Sequence, residues 1–423
     1  MLTEHLRARL PRAGMARAAL PIALLGLFQA GFVAVAPSAG AQSAGSGGGT
    51  VSGPTTSSAS TAAWTVAIDS FRLRLRADVA EDGVGGITAA IVVGDRMVWA
   101  EGFGWADRDR RIPAGVETIY RIGSISKSFT AVALMQLVDQ GTLTLDYPVV
   151  RVLSQVEGFA QRPAAAAPVT FRHLASHTAG IIREPALDGA AAGPIEEWER
   201  KVLASIPATR FDTVPGARYA YSNIGFGVLG LAVSRAAGAE FREVVTRGIF
   251  QRLGMAHSSF VVPHDDLRHL AVGYANRRDG SIDADGPARE HRGRGYKVPN
   301  GGIYSTVGDL ARFIAGMTGA AGDALLPLEH RLEMMRMQTP GSDSSGYGLG
   351  FQIRSGPEGR RFIGHGGSVA GYTAHLVFEP ESAIGVVLLR NYGSGRTNLG
   401  RAATEVLAAL VEARSRPEAA GAR

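Results

Sequence analysis

Forty-four residues of this chain are lysine or arginine, yet only three are lysines: Lys127, Lys201 and Lys297. Lys127 follows Ser124 by three positions, in Ser124-Ile125-Ser126-Lys127. Residues three apart on a helix share a face, so the amine can reach the hydroxyl. A serine hydroxyl is a weak nucleophile at neutral pH and needs a base beside it. Lysine can be that base because burial can strip its proton, whereas arginine stays charged. The opening of a helix also favours developing negative charge, through free N–H groups and the positive end of the dipole. With so few lysines, about 0.2 Ser-x-x-Lys matches are expected by chance. Taken alone, the motif leaves open a Lys127 that merely caps a helix or lies along the surface.

Two further stretches carry chemistry. Tyr221-Ser222-Asn223 follows Pro215-Gly216 and precedes the apolar run 224–233. A tyrosine whose pKa is lowered by a nearby ammonium can pass a proton to a leaving group. Asn223 offers an amide to a substrate carbonyl or amide, although such a pair alone also reads as a satisfied turn. In His365-Gly366-Gly367-Ser368 the glycines let a strand edge approach a ligand closely, and the Ser368 N–H can serve as an oxyanion donor.

The elements that must hold these residues come from both ends of the chain. Residues 87–93 form a short apolar run, Gly94-Asp95 is a turn signal, and 97–103 alternate as a partner strand. Residues 373–378, a turn at Glu379-Pro380 and residues 383–389 predict a second hairpin, and 399–411 have a helical pattern. Between them, 129–138 are apolar at helical spacing and stop before Gly141, a plausible C-cap. The expected class is α+β: an antiparallel sheet from both chain ends, flanked by helices, with a mostly helical inserted subdomain.

With all three motifs in this order, the chain resembles the serine β-lactamase and penicillin-binding protein superfamily. The likeness is greatest to the branch of class C β-lactamases, D-alanyl-D-alanine carboxypeptidases and family VIII esterases. It covers roughly residues 84–410. Supporting stretches are Tyr120-Arg121-Ile122-Gly123-Ser124, His173-Leu174-Ala175-Ser176-His177-Thr178-Ala179-Gly180, Gly301-Gly302-Ile303-Tyr304-Ser305 and Tyr347-Gly348-Leu349-Gly350-Phe351. The resemblance implies a β-lactamase/transpeptidase-like fold in which Ser124 is acylated and Lys127 and Tyr221 share the acid–base work. It implies that Asn223 orients substrate and that the Ser124 and Ser368 N–H groups form the oxyanion hole. His365-Gly366-Gly367 then stands where Lys-Thr-Gly is usual; a related three-motif set is known for class A enzymes.

That replacement bears on substrate. Lys-Thr-Gly offers a permanent charge and a hydroxyl to a carboxylate, while His365 is mostly neutral at pH 7 and Gly366 has no hydroxyl. The expectation is an exported serine hydrolase acting on a small acyl substrate (ester, β-lactam or cell-wall peptide), with neutral esters favoured at pH 7–8. Protonation of His365 toward about pH 6 should narrow that preference, and Arg390 or Arg396 is an alternative source of charge. The competing reading is a penicillin-binding sensor that is acylated or occupied without turnover. No cofactor is expected. His173 and His177 are four apart, but no His-Glu-x-x-His pattern accompanies them, so no metal site is read there.

Residues 1–41 read as a signal peptide. Arg12 and Arg17 precede an apolar run over 18–36, which leads into Ala39-Gly40-Ala41 before Gln42, and Met15 offers a second start. Gln29 interrupts the run and Pro37 ends it, which favours cleavage over a retained membrane span. The expected location is periplasmic or secreted. Residues 42–63, rich in Ser, Gly, Thr and Ala, read as a flexible linker, 64–413 as the folded domain and 414–423 as a disordered tail. There is no cysteine, which excludes disulfides and a lipidated cysteine anchor. The first 41 residues hold four arginines against one glutamate, and without them the net charge falls from +6 to +3. That modest and scattered charge argues against a nucleic-acid partner.

Overall fold

Apolar stretches from the two ends of the chain pair into one antiparallel sheet. In a computed structural model, which describes residues 58–415 apart from 165, 342 and 343, eight strands form it. They are β1 (Gly86–Val93), β2 (Arg96–Asp107), β3 (Ile112–Pro113), β4 (Ser345–Tyr347), β5 (Gln352–Ser355), β6 (Arg361–Val369), β7 (Tyr372–Glu379) and β8 (Ile384–Arg390). Their spatial order is β3-β2-β1-β8-β7-β6-β5-β4. The N-terminal hairpin therefore joins the C-terminal strands through β1 and β8, with Ile87 opposite Arg390 and Val93 opposite Ile384. β1 and β8 are continuous apolar runs because helices cover both faces of the sheet's centre.

Both expected hairpins are present; β2 runs on to Asp107, past its expected end at 103, and β8 is shifted by one residue, Ile384–Arg390 against 383–389. Gly94 turns the first at φ +62°, and Ala383 takes φ +51° in the second. One face of the sheet is covered by α1 (Ser58–Asp82) and by the C-terminal helix, Leu399–Ser415. Phe71, Leu75 and Val79 of α1 share a core with Val406, Leu407 and Leu410. α1 begins inside the stretch read as a linker. The expected signal peptide, the rest of that linker and residues 416–423 lie outside the described residues.

The other face carries the inserted, mostly helical body. It includes α2 (Ser126–Asp139), α3 (Phe171–Ala175), α4 (Asn223–Ala237) and α5 (Val307–Thr318). α2 ends just before Gly141, which takes φ +68° as a C-terminal glycine does. Phe129 of α2 stacks on Phe313 of α5 at 4.1 Å. α4 is buried from Asn223 to Ser234, so its apolarity all round is that of a core helix. Among the described residues no single helix is long and apolar enough to cross a membrane.

Candidate active site

Ser124 sits in a short 3-10 turn, Gly123–Ile125, that runs directly into α2. Gly123 takes φ +52°, and a Cβ on it would lie 2.7 Å from the Ser368 nitrogen. A Cβ on Gly367 would lie 1.9 Å from the Ile122 oxygen and 3.2 Å from the Ser124 nitrogen. The two glycines thus let the turn and β6 meet main chain to main chain, with the Ser124 and Ser368 nitrogens on one seam. Paired N–H groups on such a seam can hold a developing oxyanion.

Lys127, in the first turn of α2, is completely buried. Its Nζ lies 3.0 Å from Ser124 Oγ, 2.8 Å from Asn223 Oδ1 and 3.1 Å from the Asn300 carbonyl oxygen. Burial drives its pKa well below the usual 10.5, with Arg183, Arg294 and Lys297 adding to the effect and Glu184 opposing it. An uncharged amine has two N–H donors and one lone pair. In that uncharged form the amide and carbonyl oxygens, which can only accept, take both donors. The lone pair is left for the hydroxyl of Ser124, which is the arrangement a general base needs.

Tyr221 donates to Ser124 Oγ at 3.0 Å from the other side of the network. Ser222 caps α4, accepting from the Gly225 N–H at 2.9 Å and donating to the Ile182 oxygen at 2.8 Å, which fixes the loop that presents Tyr221. The expected lowering of the tyrosine pKa is corrected: burial outweighs its other influences and pushes it up to about 12. Lys127 stands 4.9 Å from the centre of the Tyr221 ring, yet desolvation is the larger influence on the phenol. A phenol in this state is a proton donor and relay.

Asn223 is 8% exposed, with both ends of its amide engaged. Its Oδ1 accepts from Lys127 while its Nδ2 donates to Glu184 Oε1 at 2.6 Å. Glu184 also accepts from the Tyr296 hydroxyl and pairs with Lys297 Nζ at 3.1 Å. Spacing alone left Glu184 and Asn300 unmarked. The signals that could have found them are a lone carboxylate just after the His177–Gly180 stretch and an asparagine directly before Gly301-Gly302.

His177 is a third residue that spacing left without a role. It is a non-glycine at φ +58°, and its buried ring lies 4.2 Å from that of Tyr221. Its Nδ1 accepts the Ser222 N–H at 3.0 Å, and burial holds its pKa well below 6.5. His173 instead accepts the Thr170 N–H at 3.2 Å in the capping box of α3. Among the described residues no group of three or more histidines and carboxylates could hold a metal ion.

His365 stands beside the site, its ring 6.5 Å from that of Tyr221, but it is closed off from solvent. Strand alternation puts its side chain on the same face of β6 as Gly367, where packing leaves it 1% exposed. Its Nδ1 donates to the Gly366 oxygen at 2.6 Å and its Nε2 accepts from the Tyr347 hydroxyl at 2.8 Å. Burial, with Lys127 adding, lowers its pKa to about 3, so the expected protonation near pH 6 does not occur. A Cβ on Gly366 would point at His375, 3.3 Å from its Nδ1. Arg390 donates to Thr373 Oγ1 and the Thr397 oxygen, and Arg396 pairs with Glu81, so both proposed alternative charges are engaged beside α1.

Residues 71–410 match the model of the beta-lactamase family. The chain belongs to that family. It is 24% identical to the D-alanyl-D-alanine-carboxypeptidase/endopeptidase AmpH of Escherichia coli over 321 residues, covering 73% of this chain and 79% of AmpH. An octameric penicillin-binding protein homologue from Pyrococcus abyssi superposes with a TM-score of 0.68 at 28% identity, over 82% of this chain and 77% of that one. A class C beta-lactamase shares the fold, with a TM-score of 0.67 at 19% identity over 85% of this chain and 97% of its own. The α+β reading and the superfamily resemblance both hold.

Proposed function

We propose that this beta-lactamase family member is a serine hydrolase working through an acyl-enzyme on Ser124. Ser124 Oγ bonds to the substrate's acyl carbon while its proton passes to Lys127 Nζ. The carbonyl oxygen, now negative, lies against the Ser124 and Ser368 N–H groups. As the bond to the leaving group breaks, that group takes the proton of the Tyr221 hydroxyl, and the proton that Lys127 took from Ser124 restores the phenol. Water then attacks the acyl carbon, gives a proton to Lys127, and Ser124 leaves with its proton restored. Asn223, Asn300 and Glu184 position the amine. The observation that carries this reading is the pair of accept-only oxygens on Lys127, which leaves its lone pair for Ser124.

The substrates are small acyl compounds: esters, β-lactams or cell-wall peptides, AmpH being a carboxypeptidase by name. A panel of nitrocefin, short-chain nitrophenyl esters and a D-Ala-D-Ala peptide, run on wild type and Ser124→Ala, tests it. Turnover lost in the variant supports the reading. A wild-type chain that accumulates a stable Ser124 adduct without turnover would instead be a sensor. The charged, apolar and small-residue pattern of residues 1–41 supports export with cleavage before Gln42. N-terminal sequencing of protein from the cell envelope checks that, and a chain still beginning at Met1 or Met15 would mean a retained anchor.

A further inference from the structure

Three cations surround Lys127, and they differ in what they have left to offer. Arg294 is 13% exposed; it donates to the Gly301 oxygen at 3.0 Å and lies 3.3 Å from Glu290. Lys297 is 20% exposed and pairs with Glu184. Arg183 is 64% exposed, and its nearest acid, Glu184, stands 3.7 Å away, beyond hydrogen-bond reach. That carboxylate is already held by Asn223, Tyr296 and Lys297.

Arg183 is nonetheless fixed in place. Its carbonyl oxygen accepts the N–H groups of Asn223 at 2.8 Å and Ile224 at 3.3 Å, which ties its backbone to the start of α4. Its guanidinium lies over the Tyr221 ring, with Cζ 4.7 Å from the centroid. A guanidinium held over a ring still has N–H groups to offer a planar, two-oxygen partner. Tyr221 in turn touches Ser124 Oγ. A solvated surface arginine would have neither the backbone anchor nor the ring beneath it.

We infer that Arg183 selects acyl substrates that carry a carboxylate, supplying the permanent charge that the buried His365 does not. The inference rests on acyl transfer at Ser124. It reverses the preference for neutral esters that the His365-Gly366 motif implies.

The test uses two matched pairs of esters. The mono-4-nitrophenyl ester of adipic acid, against its methyl ester, places the carboxylate on the acyl side. 4-Carboxyphenyl acetate, against 4-(methoxycarbonyl)phenyl acetate, places it on the leaving group. Within each pair the nucleophile is shared, so the acid-to-ester ratio of kcat/KM cancels any effect of Arg183 on Lys127. Arg183→Gln should lower that ratio roughly 10- to 100-fold in at least one pair, as expected for a charged hydrogen bond, and Arg183→Lys should restore part of it. Ser124-dependent turnover with both ratios unmoved in Arg183→Gln overturns the role of Arg183 and leaves acyl transfer standing. Absence of Ser124-dependent turnover of all four esters overturns the selection, and acyl transfer falls with it if nitrocefin and the D-Ala-D-Ala peptide are also left intact.

Discussion

The main-chain oxygen of Asn300 stands 3.1 Å from Lys127 Nζ, so no side-chain substitution at position 300 removes that acceptor from the amine. The charge state of Lys127 is instead open to its ionic neighbours. Glu184 favours the ammonium and Lys297 disfavours it. If the neutral amine is the active form, kcat/KM rises with pH through the Lys127 pKa. Glu184→Gln should move that acidic limb to lower pH, and Lys297→Gln should move it higher. Profiles of kcat/KM between pH 4 and 9 check the signs; two shifts in the same direction would remove Lys127 as the titrating base.

Ser124→Ala should cost at least roughly 10³-fold in turnover while leaving thermal stability near wild type, because the partly buried hydroxyl fills no core position. Lys127→Arg should be nearly as inactive, since a guanidinium keeps its proton. Thermal melts beside the kinetics separate loss of chemistry from loss of fold. Near-wild-type rates in Lys127→Arg would make Lys127 structural.

Gly366 and Gly367 are neighbours with opposite expectations. A methyl on Gly367 collides with the Ile122 oxygen at 1.9 Å, so Gly367→Ala should cost about 1–3 kcal/mol or more and open the seam at Ser124. Gly366→Ala meets only the His375 ring at 3.3 Å and should change stability by less than about 1 kcal/mol. Denaturant melts of the two variants give the comparison. Equal losses would mean that β6 is not pressed against the turn.

Acid should destabilise the protein through its buried histidines. His177 and His365 stay neutral in the folded chain well below pH 6.5, whereas the unfolded chain binds their protons there. Stability is therefore unaffected by them above about pH 6.5 and falls as pH drops below it. Each contributes up to about 1.4 kcal/mol per pH unit down to its folded pKa, about 3 for His365. Unfolding free energies from pH 8 to 4 read this, and His365→Gln should flatten the slope. By the same fact, selectivity between acids and esters should not change near pH 6 on account of His365.

What was legible in the sequence was whatever local spacing encodes. Ser124 and Lys127 are one helical turn apart, and the hairpins announce themselves by apolar runs broken at Gly94-Asp95 and Glu379-Pro380. Burial is not encoded locally, and the misreadings follow from that. Spacing brings an amine near Tyr221 and so implies a lowered pKa, but it carries no sign of the desolvation that raises it. Flanking glycines set His365 beside the site, and its ring does lie 6.5 Å from that of Tyr221, but packing against Tyr347 closes it off in a way no local pattern shows. Glu184, Asn300 and His177 come from loops whose only common property is where the fold brings them.

The pairing of β1 with β8 also has a temporal side. Ile87 meets Arg390, and the Ser124 nitrogen shares its seam with Ser368, so both contacts join segments made at opposite ends of synthesis. Contacts that distant in sequence pay their loop-closure entropy before any burial rewards it. An emerging chain therefore holds an unpaired β1 edge until nearly its last strand exists, and it has no oxyanion seam until then. The acyl transfer proposed at Ser124 needs β6 in place, so a fragment ending before Ser368 would carry the serine and the lysine without that seam.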